Sequence, residues 1–556
     1  MTKQRFLITS ALPYINGIKH LGNLAGSMLP ADVQARFRRL QGHEVLFLCA
    51  TDEHGTPAEL AALEAGQNVV DYCTLQYEIQ KTAGDGFHLS FDHFGRSSSA
   101  ENRVLTQHFA DQLEKNGFIE ERVSQQIYSL DDERFLPDRY VEGTCPKCGH
   151  DPARGDQCDN CGSLLDPLEL INPRVRDTAH LFLRQPLMEA QVRAWVDAAE
   201  EWPSLARSIA YKWLDEGLQD RAITRDLKWG VPVAYEGVPR TGFEAKVFYV
   251  WFDAPIEYIA AAQEWATLHG TDWARWWRKD KGAEDVTYIQ FMGKDNVAFH
   301  TVSFPSTIIG SGEPWKLVDR LKATWYGGKF STSQKRGIFM DKALELLPGD
   351  YWRWYLMANA PESSDAAFTL EGLQAAINSD LANVFGNFIN RITKFAISKF
   401  DGIVPTGGIA GEIERDLLTN VLDKIALITQ YHEEMEFRKA ATETRALWVL
   451  GNEYLQAKAP WTLYKTDIDQ SALGVRIGLN LCALFAILAQ VFVPETAGKI
   501  LDALGVPPQN RNWPNAVDAG LFDALPHGLK ISELPVLFQK IEDEQVVEWG
   551  EMFGGG

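Results

Sequence analysis

The sequence predicts a doubly wound parallel α/β sheet, split by a metal-binding insertion and followed by an all-α helix bundle. Three observations predict it. A strand–loop–helix–strand pattern opens the chain and resumes near residue 286. Gly, Pro, Cys and charged residues cluster between the two halves, over 116–229. From Asp380 onward the apolar periodicity is helical.

Residues 5–10 form a short apolar run that ends in Ala11-Leu12-Pro13-Tyr14, which reads as a buried strand and a loop. His20-Leu21-Gly22-Asn23 precedes a helical pattern through Leu24, Met28, Val33 and Phe37. A second strand, 44–49, runs into Ala50-Thr51-Asp52-Glu53-His54-Gly55. Far along the chain, 286–292 is a third strand, followed by Gly293-Lys294-Asp295-Asn296 and a helix. Parallel sheets bind ligands beyond the carboxyl ends of their strands, so loops 11–23 and 51–55 fall on one rim. Leu381, Val384, Phe385, Phe388, Ile392 and Phe395 make one apolar helical stripe. The predicted divisions are 1–115 and 230–325 for the halves of the sheet domain and 116–229 for the insertion. A linking region covers 326–380, the bundle 381–540 and a tail 541–556.

The chain has 556 residues and a net charge of −21, which excludes a generally basic nucleic-acid coat but not a local basic groove. The longest apolar run, 481–489, is too short to span a bilayer, so no membrane partner is expected. No signal peptide is read in residues 1–14. Seven cysteines are few and odd in number, which predicts a reducing, cytoplasmic setting. Four of them form two Cys-x2-Cys pairs, Cys145/Cys148 and Cys158/Cys161, separated by nine residues. Four thiolates suit one closed tetrahedral Zn²⁺, a structural site that folds the insertion.

Neither Gly-x-Gly-x-x-Gly nor Gly-x4-Gly-Lys-[Ser/Thr] occurs where a dinucleotide or P-loop fold needs it. His20 and Asn23 flank Gly22 just before a helix instead. They can donate to triphosphate oxygens, and the helix N-terminus adds positive potential. Taken alone, the tetrapeptide also reads as a polar turn that caps a helix. Gly327-Gly328-Lys329-Phe330-Ser331-Thr332-Ser333 supplies mobility, one cation and hydroxyl donors, which fits a pyrophosphate or an ordinary surface loop.

Together these elements resemble the class I aminoacyl-tRNA synthetases, most closely the methionyl family. The His-x-Gly-His-type element corresponds to 13–23 and the Lys-Met-Ser-Lys-Ser-type element to 329–333. Phe248-Tyr-Val-Trp251-Phe-Asp253-Ala-Pro255, Gly293-Lys-Asp295, Ile223-Thr-Arg225-Asp226 and Ala459-Pro460-Trp461 match as well, so the likeness covers nearly the whole chain. Two departures stand out. Asn23 replaces the second His. Thr332 replaces the second Lys and supplies no charge.

The resemblance implies a ligase that makes methionyl-adenylate from L-methionine and ATP, with Mg²⁺, and then charges tRNA(Met). It implies catalytic roles for His20, Asn23, Lys329 and Thr332. ATP would also contact Pro13, Gly22, Gly293 and Asp295. Methionine would meet Ala11, Leu12, Tyr14, Asp52, Trp251, Ala254, Pro255, Tyr258, Asn296 and His300. Asn387, Arg391 and Trp461 would read the anticodon. A monomer is expected, since no further module is seen after 534–541. Two alternatives stay open on the residues alone. One is a sister ligase for another apolar amino acid. The other is a tRNA-binding paralogue that has lost catalysis, motivated by Thr332.

Overall fold

The protein was described from a computed structural model, covering residues 3–129, 134–135, 142–150, 153–154, 175–324, 337–362, 368–515, 517 and 520–553. Its central sheet is wholly parallel. The strands are β1 (Arg5–Ser10), β2 (Glu44–Thr51) and β3 (His93–Arg96), followed after the insertion by β6 (Val286–Gly293) and β7 (Arg320–Thr324). Their spatial order is β7-β6-β1-β2-β3. The chain winds outward from β1 on one side and returns on the other. The point of reversal, between β1 and β6, opens a crevice at the carboxyl ends of both strands. Register is set by Arg5 opposite Val286 and by Arg5 opposite Glu44. Helices cover both faces, so β1 and β6 are almost continuously buried apolar runs.

The insertion carries its own antiparallel sheet. Strand β4 (Ile119–Ser129) pairs along its length with β5 (Val175–Leu183), from Ile119 opposite Leu183 to Ile127 opposite Val175. Its metal expectation is corrected. Cys145 is buried and Cys148 exposed, at a turn closed by Gly149 N donating to Cys145 O at 2.9 Å. Cys158 and Cys161 lie outside the described residues. Among the described residues no three His, Cys, Asp or Glu side chains gather into a metal-binding group.

Past β7 the described residues are helical, apart from turns and extended linkers. The apolar stripe faces the core: Leu381, Phe385, Phe388 and Ile392 are fully buried, and Val384 and Phe395 are partly buried against them. Asn387–Lys399, Glu412–Glu433, Phe437–Lys458 and Ile468–Ala489 form the main bundle. The last of these is apolar and long enough to cross a membrane, but 89% of its most apolar stretch is buried inside the protein, as in a central core helix. The bundle and the sheet share one hydrophobic interior, from Phe6 and Ile8 through Trp352 and Trp354 to Trp448 and Phe492.

A charge clasp crosses that interior. Arg353 and Asp32 are both fully buried and meet at 2.7 Å. Arg353 also donates to the carbonyls of Phe87, Val491 and Phe492 at 2.8–3.0 Å. Asp32 accepts from Arg36 and from Ser90 N and Oγ. These partners hold the Asp32 carboxyl well below its usual range despite burial.

Candidate active site

The crevice at the switch point holds a cavity of about 260 Å³. The loop after β1 contributes Ala11, Leu12, Pro13, His20, Gly22 and Asn23, and the turn after β6 contributes Gly293, Asp295 and Asn296. Two loops far apart in sequence thus face each other, as the nucleotide reading requires. Gly22 and Gly26 leave part of the wall without side chains, and Thr324 at the end of β7 closes it. Asn23 Oδ1 is buried and has no hydrogen-bond partner among the described residues. Such an atom is costly unless a ligand or water satisfies it.

His20 caps the helix, its Nδ1 accepting from Asn23 N at 3.3 Å. Burial, reinforced by the Lys19 ammonium, lowers the His20 pKa to about 4. His20 is therefore neutral at pH 7 and acts as a hydrogen-bonding ring, not a cation. Lys19 itself is buried, and burial lowers its pKa to about 7 against the opposing pull of Asp52. Sequence reasoning missed Lys19, because a lysine in a loop reads as solvated.

Lys329 and Thr332 lie outside the described residues. The segment that follows them is anchored at the site. Leu21 N donates to Ile338 O at 3.0 Å, and Met340 N to Lys19 O at 2.8 Å. The expected Mg²⁺ is corrected along with zinc. Among the described residues Asp295 is the one carboxylate lining this cavity and no group of three metal-ligating side chains forms, so these residues do not make a metal site of their own.

The amino-acid residues divide into two groups. Asp52 is buried and pinned by its backbone, donating to Pro13 O and accepting from Ile15 N, both at 2.9 Å. That pairing sets Tyr14 beside Asp52. Tyr258 and His300 are buried and meet at 3.0 Å, and Leu12 backbone also bonds Tyr258. His300 Nδ1 lies 2.8 Å from Asn296 O and donates to it. Nε2 then accepts from the Tyr258 hydroxyl. Burial lowers the His300 pKa to about 4, so this wall is uncharged at neutral pH.

Trp251 belongs to the second group. It packs on Phe299 at 4.6 Å and Tyr249 at 5.2 Å, lining a neighbouring cavity of about 240 Å³ with Arg225. Ala254 and Pro255 form the half-buried turn just after it.

The structure adds residues the sequence reading did not assign. Glu53 is fully buried, gripped by Arg96 at 2.8 and 3.1 Å, Ser98 at 2.5 Å and Thr51 at 2.8 Å. His54 Nδ1 meets Asp253 Oδ2 at 2.5 Å. Their signal was three titratable residues in one short loop and a lone Asp inside an apolar aromatic segment.

In the bundle, the Arg391 guanidinium lies 4.5 Å from the Trp461 ring, which is half-buried with its edge on Phe395. Asn387 is exposed one turn before Arg391. The three residues named for anticodon reading are thus on neighbouring parts of one surface.

Comparison with known proteins gives the family and the fold. Residues 6–393 match the family described as tRNA synthetases class I (M), and 404–556 match the anticodon binding domain of methionyl tRNA ligase. The methionine–tRNA ligase of Maricaulis maris is 66% identical over 99% of both chains. That of Hyphomonas neptunium is 63% identical over the full length of both. A crystal structure of Mycobacterium tuberculosis methionyl-tRNA synthetase bound by methionyl-adenylate has the same fold, with a TM-score of 0.80. It is 24% identical and covers 96% of this chain and 100% of its own.

Proposed function

The chain belongs to the methionyl-tRNA synthetase family, and from that premise we propose how its residues divide the work of a methionine–tRNA ligase. The reaction joins L-methionine to ATP as methionyl-adenylate, releasing pyrophosphate, and then transfers methionine to tRNA(Met) with release of AMP. In the first step a methionine carboxylate oxygen attacks the α-phosphorus in line. No side-chain nucleophile is needed, so the protein's part is alignment and charge dispersal.

The cavity at the β1/β6 switch point takes ATP. Gly22 and Gly293 let the adenosine approach the backbone, and Pro13 and Asp295 bound it. His20 and Asn23 donate neutral hydrogen bonds to phosphate oxygens, each lowering the barrier by roughly 2.7–4 kcal/mol on the oxyanion-hole analogy. Lys329 contributes the cation of 329–333, and Thr332 a neutral hydroxyl. Asp52 pairs with the methionine ammonium. Leu12, Tyr14 and the uncharged Tyr258–His300 pair, with Ala11 and Asn296 near by, receive the side chain. Trp251, Ala254 and Pro255 close it from the second cavity. An unbranched thioether suits such aromatic walls.

Asn387, Arg391 and Trp461 take the anticodon, Trp461 as a stacking face with Arg391 against it. The chain works as a monomer in the cytoplasm. The observation that carries this reading is the pair of distant loops facing one cavity across the switch point, with His20 and Asn23 in its wall. ATP–pyrophosphate exchange scanned over amino acids tests it. Methionine gives the highest kcat/KM, and exchange driven by leucine or valine instead overturns the amino-acid assignment.

A further inference from the structure

We propose that the buried His54–Asp253 pair is a positioning device that fixes the distance between Asp52 and the aromatic wall at Trp251, and so sets which amino-acid side chains are activated. The proposal rests on the reading above in which Asp52 takes the ammonium of methionine. Each partner stands two residues from one wall of that site: His54 from Asp52, and Asp253 from Trp251.

The pair is short and dry. Nδ1 and Oδ2 are 2.5 Å apart, with side chains 5% and 0% exposed. A carboxylate accepts only, so Nδ1 carries the proton and donates it. Asn102 offers Oδ2 a second, longer contact at 3.5 Å, and Oδ1 has no hydrogen-bond partner among the described residues. His54 therefore supplies most of what stabilises this buried charge. Burial raises the Asp253 pKa and His54 opposes the rise, as expected of such a dependence.

The histidine is held from its other sides too. The Trp229 ring stands edge-on to it at 5.4 Å, and Trp229 Nε1 donates to Glu53 O at 2.6 Å. Gly55, at φ +84°, comes so close that a Cβ there would lie 3.3 Å from Val250 Cγ1. Loop 51–55 and segment 250–255 are thus joined by contact at one end and by a charge-assisted bond at the other. Neither His54 nor Asp253 lines the nucleotide cavity. A displacement of about 1 Å between reacting groups costs on the order of 10²-fold in rate, so a fixed spacing has catalytic consequences without contact.

The test separates positioning from folding. His54→Leu leaves a buried carboxylate without its donor and endangers the fold. The double variant His54→Leu/Asp253→Leu removes donor and charge together. His54→Asn keeps an N–H near the place of Nδ1. Asp253→Asn keeps the volume and serves if the double variant does not fold. ATP–pyrophosphate exchange is measured with methionine and with ethionine, one methylene longer, alongside thermal melting.

In a folded variant without the pair, methionine KM rises about tenfold while ATP KM stays within about twofold. The ethionine-to-methionine ratio of kcat/KM rises, and His54→Asn returns both values toward those of the unsubstituted chain. Asp253→Asn moves them the same way by less. Unchanged methionine KM and selectivity in a folded variant overturn the proposal, as does an equal rise in both KM values. Failure of the unsubstituted chain to form methionyl-adenylate would sink the underlying reading instead.

Discussion

Loop 51–55 and turn 20–23 follow the carboxyl ends of adjacent strands of one sheet, yet their polar atoms are treated in opposite ways. In loop 51–55 the protein supplies the partners. Glu53 has Arg96, Thr51 and Ser98, His54 has Asp253, and the Asp52 backbone has Pro13 and Ile15. In turn 20–23 the walls are glycine, a neutral histidine and an amide oxygen with no partner among the described residues. On the proposed assignment, the amino-acid side is preorganised by the fold, whereas the nucleotide side is completed by what binds. Preorganisation secures selectivity among small side chains. An incomplete shell leaves hydrogen bonds to be completed by donors and acceptors of the bound nucleotide.

Asn23→Ala gives the largest expected effect, a fall in kcat of about 10²–10³-fold with melting unchanged. Exchange at an undiminished rate would mean the open turn does no chemistry. Asp52→Asn removes the charge but keeps the shape. It raises methionine KM by about 30-fold or more, the scale of a desolvated ion pair losing a partner, and leaves ATP KM alone. A matching rise in ATP KM would erase the division between the loops.

Glu53→Gln should act on stability first. It leaves the Arg96 guanidinium without its bidentate partner and costs about 2–3 kcal/mol in denaturant unfolding, with kcat of the folded fraction retained. Arg391→Ala lies outside the contrast and controls for it. It raises KM for tRNA roughly tenfold through the lost cation–π support of Trp461 and lost base contacts, with pyrophosphate exchange unaffected.

The smallest effect is in acid. His20 and His300 are held near pKa 4 and His432 near 3, mainly by burial, against 6.5 when exposed. Between those values the unfolded chain binds more protons, so stability falls as pH drops from 6.5 towards 4. His432→Phe, in a site already walled by Phe37, Phe492 and Trp513, should flatten that part of the melting curve. An unchanged slope would show that His432 is not among its causes.

Much of the architecture could be read from local pattern. Strand β1 falls where its apolar run lies, and the bundle stripe at Leu381, Phe385, Phe388 and Ile392 is the buried one. Strand β2 runs two residues beyond its apolar stretch, to Thr51, because pairing with β3 through Thr51 and Arg96 holds polar residues in the sheet. The site was legible where loops follow strands, as at His20, Asn23 and Asp295. It was not legible where it depends on pairing across 199 residues, as for His54 with Asp253, or on burial of a loop lysine at position 19. Spacing of cysteines predicted a metal, whereas among the described residues no metal-binding group of side chains forms.

The Asp32–Arg353 clasp bears on how the molecule comes apart. Asp32 sits on the helix that follows turn 20–23, and Arg353 grips carbonyls at the end of the central bundle helix. Calorimetry should therefore find one endotherm, not two. Halves of the chain expressed separately would each expose an unmatched ion on a raw apolar surface, so this polypeptide stands or falls as a single cooperative unit.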